Sequence, residues 1–187
     1  MRRFMVGACV VAVSALFSGC GPSGGSGPSQ TSRHPTLLPI EPQPAEIERP
    51  EDLPPGWYIE SGHDRGVMLK NSDLEDKWVW ISIDWSIRGT DLQQALEMHR
   101  EVFEEDPNGE YLGSGEAQIA SLGQAVWSWG RSGEDSEFLK DELTLFVVHP
   151  YRPAVLALRY VAPPADGDIS PRVEELLAIA AVVEPVE

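Results

Sequence analysis

From Trp78 to Ile87 the chain alternates. Val79, Ile81, Ile83, Trp85 and Ile87 fall on one side, and Ser82, Asp84 and Ser86 on the other. A period of two marks a strand with one buried face. Trp78 and Trp80 stand on the face opposite Ile81 and Ile83. Gly89 ends the run, and the period then changes. Leu92, Ala95, Leu96, His99, Val102 and Phe103 recur at helical spacing, while Glu97, Glu101, Glu104 and Glu105 point elsewhere. Thr90 and Gln93 form a capping box, which predicts a helix start at Thr90. Pro107-Asn108-Gly109 predicts its end.

The same reading assigns short strands to Trp57–Ser61 and Val67–Lys70, joined through Gly62-His63-Asp64-Arg65-Gly66 as a hairpin. Tyr111–Ile119 is a weaker strand, because Gly113 and Gly115 interrupt it. Gln124–Arg131 carries Val126, Trp127 and Trp129. Leu143–Val148 is apolar on both faces and reads as a central strand; Ala154–Val161 returns from it after a turn at His149–Pro153. Ser170-Pro171 predicts an N-cap followed by proline at the first helical position. Val173, Leu176, Leu177 and Ala180 would face inward, and Val182 and Val183 would add a closing strand. Strands segregated from two helices predict an α+β domain, a mainly antiparallel sheet packed with two helices. Trp85 and one of Trp127 and Trp129 are expected in its core.

The first 55 residues follow other rules. Met1-Arg2-Arg3 precedes an apolar run from Phe4 to Phe17 and then Ser18-Gly19-Cys20. A basic start, an apolar stretch and small residues form a secretory signal, and the run is shorter than the roughly 20 residues a membrane span needs. Leu16-Phe17-Ser18-Gly19-Cys20 resembles the lipobox of bacterial lipoproteins, with Phe17 where that family usually has an aliphatic residue. The resemblance implies cleavage before Cys20 and acylation of its thiol. The chain has 2 Cys, Cys9 and Cys20. Cys9 would leave with the signal, so the mature protein would have no internal disulfide. Each buried acyl CH₂ contributes roughly 0.8 kcal/mol, and two or three chains make a durable anchor. Residues 21–55 hold glycine, serine and nine prolines. Such a segment buries too little apolar surface to order itself and reads as a spacer that grows stiffer where proline dominates. The expected organisation is a signal peptide over 1–19, a lipidated Cys20 and linker over 20–55, and one domain over 56–187.

The order Gly56-Trp57, early hairpin, helix from Thr90, Gly123-Gln124-Ala125-Val126-Trp127 strand, Leu143–Val161 hairpin and closing helix resembles the PsbP/DcrB-like superfamily, including the LpqN type of small lipoproteins. The resemblance covers about the whole of 56–187. It implies a sheet sandwiched by helices and roles as adaptors or accessory binding factors, mostly without catalysis. No catalytic residue is carried over.

The net charge is −16, and loss of Arg2 and Arg3 would make it more negative. This disfavours nucleic acid, which needs a basic face, and unaided attachment to anionic lipid. Glu104-Glu105-Asp106-Pro107-Asn108-Gly109-Glu110 offers hard oxygen ligands around a tight turn. As an EF-hand loop it fails, with Glu104 at the first position and Gly115 at the twelfth. Among His34, His63, His99 and His149 no pair has ligand spacing, so neither metal nor cofactor is expected. His99, on the apolar helix face, reads first as a hydrogen-bonded core histidine. A Ser-His-Asp site stays open, but no Gly-x-Ser-x-Gly elbow is present. Trp78 and Trp80 are the candidate partner or ligand surface, since tryptophan is enriched at binding hot spots; equally, a helix or strand could cover them. The leading expectation is a non-catalytic binding or adaptor module, lipid-anchored outside the cytoplasm and meeting an envelope protein. A lipid or glycan carrier and an envelope hydrolase are the alternatives.

Overall fold

The computed structural model describes residues 45–63, 66–84, 90–133 and 139–187. Cys20, the signal and residues 21–44 of the linker, together with Trp85 and Ile87, lie outside the described residues. The elements are β1 (Ala45–Glu46), β2 (Trp57–His63), β3 (Gly66–Asn71), β4 (Leu74–Asp84), α1 (Leu92–Glu105), β5 (Glu110–Ile119), β6 (Gly123–Ser132), β7 (Lys140–Val148), β8 (Val155–Ala162), α2 (Ser170–Ala180) and β9 (Glu184–Pro185). The protein is α+β. Seven strands form one antiparallel sheet in the order β2-β3-β4-β8-β7-β6-β5, and β1 pairs with β9 separately.

Strand periodicity builds a core on each face. On one face Leu69, Val79, Ile81, Leu143, Leu145, Leu156, Leu158 and Tyr160 meet Leu176, Ile179 and Ala180 of α2. On the other, Val126, Phe146, Val155 and Ala157 meet Ala95 of α1. β7 and β8 sit centrally with apolar residues on both faces, as expected of Leu143–Val148. In β8 only Arg159 is exposed.

Residues 45–55 depart from the expected linker. Ala45, Ile47 and Leu53 are buried in the α2-side core, and Pro50–Asp52 form a 3₁₀ turn. The ordered body therefore includes a stretch placed outside it by its proline content. Its sparse apolar residues suffice because β9 gives β1 a strand to pair with. That closing strand is Glu184–Pro185 rather than Val182-Val183; Val183 is buried instead.

Both helix starts also differ in detail. The α1 N-cap is Asp91, whose carboxylate accepts from the backbone N–H groups of Gln93 (3.0 Å) and Gln94 (3.1 Å). A carboxylate one residue nearer the helix does the work assigned to Thr90. In α2, Ser170 is already helical; Ile169 holds the cap position and Asp168 accepts from Ser170 N–H at 2.9 Å.

Candidate functional site

α1 lies over β6, with β5 and β7 beside it. Ala95, His99 and Phe103 recur every fourth residue and form its buried stripe. Gly130 lets the helix approach, because a Cβ there would run into the Phe103 ring. His99 is 6% exposed and uses both ring nitrogens. Nδ1 lies 2.8 Å from Ser128 Oγ; Nε2 lies 3.1 Å from Glu142 Oε1 and 3.0 Å from Thr144 Oγ1. Arg159 Nε pairs with Glu142 at 2.9 Å. Burial pushes the Glu142 carboxyl up, but the His99 hydrogen bond, the Arg159 charge and Thr144 outweigh it and hold it below the ordinary carboxylate range.

Ser128, His99 and Glu142 thus come together, which no local motif announced: they lie on three elements. The arrangement does not suit nucleophilic catalysis in this conformation. Ser128 is fully buried beneath α1, so an incoming carbonyl has no approach to its oxygen. The network instead satisfies buried polar groups and ties α1 to β6, β7 and β8.

The opposite face carries two further polar clusters, both attaching α2. Glu175 accepts from Trp57 Nε1 (2.8 Å), Lys77 Nζ (2.7 Å) and Tyr160 OH (2.8 Å). Burial raises the Glu175 carboxyl; these donors more than offset that and leave it below its usual value. The Tyr160 phenol is pushed well above its usual range by burial and by Glu175. Asp141, 1% exposed, binds Arg131 (2.6 Å), Arg172 (3.0 Å) and the Ala165 N–H (2.6 Å). Trp127 and Trp129 are both half-buried against the α2-side core, and Trp127 lies over Gly115.

Trp78 and Trp80 stand on the α1 face of the sheet, opposite Val79 and Ile81 as their alternation requires. Register sets their neighbours: Trp80 lies between Met68 and Arg159, and Trp78 between Lys70 and Val161. Both indoles are half-buried. Among the described residues no helix is seated on β3 and β4 here, because α1 stands over β5, β6 and β7. The helix contributes one flank. Met98 packs on the cluster containing Val155 and Ala157, and Val102, one turn on, is 62% exposed although its spacing placed it on the apolar face. Register thus places Met68, Trp78, Trp80 and Arg159 side by side on the sheet, and helical spacing places Met98 and Val102 on the near flank of α1; we call the surface between them the trough. A separate hollow of about 360 Å³ lies at the helix start, between Thr90–Gln93 and Leu122, Gln124, Val126 and Val148. The described residues contain no cluster of three or more metal-ligating side chains. They also contain no helix long and apolar enough to cross a membrane.

No protein-family model matches the chain, and no curated protein matches it in sequence. Solved structures similar to it include LpqN of Mycobacterium tuberculosis, described as involved in cell envelope biogenesis. It is 15% identical, covers 71% of this chain and 81% of its own, and has a TM-score of 0.43. The Ran-binding protein Mog1p of Saccharomyces cerevisiae is 12% identical, with 70% and 81% covered and a TM-score of 0.43. PsbP of the cyanobacterium Synechocystis is 11% identical, with 71% and 84% covered and a TM-score of 0.42. No functional residue is carried from them to this chain.

Proposed function

We infer that the protein is a non-catalytic docking module, lipid-anchored through Cys20 on the extracytoplasmic side of a membrane, that meets an envelope protein through the Trp78–Trp80 face. One observation carries the docking reading: two half-buried tryptophans sit on the part of the sheet beyond α1, with Met68 paired across the strands to Trp80, and Val102 on α1 is 62% exposed. Large aromatic side chains at a partly dehydrated surface are where binding energy concentrates. The lipobox resemblance around Cys20 supports the address, and the acidic balance leaves membrane attachment to the lipid rather than to surface charge.

Affinity capture from detergent-solubilised envelopes, with the full chain as bait, tests the surface. Trp78→Ser with Trp80→Ser should weaken capture of a stoichiometric partner by about tenfold or more and leave the circular dichroism spectrum unchanged. Capture that survives the double substitution removes the site. Cys20→Ala should move the protein from the membrane to the soluble fraction; persistent membrane binding would overturn the anchor.

The hollow at the start of α1 favours a second reading, a lipid or glycan carrier. Its volume is at the low end for small-molecule sites, and Leu92, Leu122, Val126 and Val148 line it together with Thr90, Asp91, Gln93 and Gln124. A bound mass retained in native mass spectrometry, and lost on Val126→Trp, would favour it.

A further inference from the structure

The trough beside α1 has a charge pattern as well as an apolar lining. Its cations are matched within the face: Lys70 pairs with Glu60 (3.1 Å), Lys140 with Asp76 (2.9 Å) and Arg159 with Glu142 (2.9 Å). Two acids are not matched. Glu105 follows Met98 by seven residues and lies beside it on α1; Glu101, three residues on, lies between Met98 and the solvent-facing pole of the helix. Both are exposed, and neither has an ion pair among the described residues. The one cation of the helix, Arg100, lies 3.7 Å from Glu104, a residue on the other flank. The helix wall thus presents Met98 and Val102 with two free carboxylates along their edge, and the floor presents two indoles.

We propose that this trough takes a cationic amphipathic segment of a partner protein. Its apolar side rests on Trp78, Trp80, Met98 and Val102, and its Lys or Arg side chains meet Glu101 and Glu105. Charge complementarity selects the occupant: an acidic segment would bring like charge to two uncompensated carboxylates, and a neutral one would leave them unused. The Trp78 ring adds to the preference, since a cation over a tryptophan ring is attracted by its quadrupole. The protein already places Lys77 Nζ 5.5 Å from the Trp57 ring centroid on its other face.

This inference rests on the docking reading, and one experiment separates their failures. The probe is a synthetic peptide of alternating Leu and Lys, with a Leu/Glu counterpart, titrated into the full chain while the tryptophan indole N–H resonances are followed. The Leu/Lys peptide should bind and shift the Trp78 and Trp80 signals. Glu101→Lys with Glu105→Lys should weaken it about tenfold. Glu174→Lys with Glu184→Lys makes the same change in net charge at exposed positions away from α1, on α2 and β9; this variant should lose far less. Equal losses in the two variants would show that only net charge is read and would overturn the proposal. Equal binding of the Leu/Glu peptide at the same indoles would overturn the charge preference and leave the docking surface standing. No shift at Trp78 or Trp80 with either peptide would overturn both.

Discussion

Single residues decide how the layers meet. Asp141 is nearly fully buried and neutralises Arg131 and Arg172 while accepting the Ala165 N–H. Its hydrogen bond is the main reason the Arg131 pKa is raised. Removing one partner of such a group leaves the others charged and desolvated. Asp141→Ala should therefore cost about 3–5 kcal/mol, read as a lower denaturation midpoint with an unchanged slope in urea. A loss below about 1 kcal/mol would mean that solvent already screens the cluster. At this scale the sequence was hard to read. Asp141, Glu142 and Glu175 look like ordinary surface acids, and apart from Thr144 beside Glu142 their partners are 10–118 residues away along the chain. The default for His99, a hydrogen-bonded core residue, matches its position, but nothing local named Ser128, Glu142 or Thr144 as its partners.

The two helices are held to the sheet by carboxylates as well as by apolar area. Glu142 holds α1 through His99, and Glu175 holds α2 to Trp57, Lys77 and Tyr160. Both carboxyls lie below their ordinary pKa in the folded protein. A depressed carboxyl contributes stability that is present above its unfolded value, about 4.3, and is lost as pH falls through the folded value. The thermal midpoint should therefore drop as pH falls from about 4.3. Glu175→Gln should lower stability at neutral pH and make that acid limb shallower; a limb of unchanged slope would assign the acid sensitivity elsewhere. Elements were the most legible level. The alternation at Val79–Ile83, the apolar runs in β7 and β8 and the spacing of Ala95, His99 and Phe103 are physical periods that tertiary packing preserved. The misses fall where one residue settles a boundary. Asp91 displaced Thr90 as a cap, and Val102 was left in the open because the sheet beneath its flank carries no second helix.

For the whole molecule, composition underestimated what residues 45–55 bury. Proline and glycine count against burial on average, yet Ala45, Ile47 and Leu53 reach the core once β9 offers β1 a partner. The candidate surface was legible only as a face: alternation put Trp78 and Trp80 together, but whether a helix covers them depends on which strands α1 chooses. The α+β architecture was legible because the apolar period changes from two over Val79–Ile83 to nearly four over Ala95, His99 and Phe103.

The measurement that tests the docking surface most directly is site-specific photo-crosslinking in intact envelopes. The full chain would carry a benzoylphenylalanine in place of Trp78 or, as a control on the α2 face, in place of Glu174. The expected result is one discrete adduct from position 78 and none from position 174. Adducts from position 174 alone, or no difference between the two, would contradict a partner seated on the Trp78–Trp80 face.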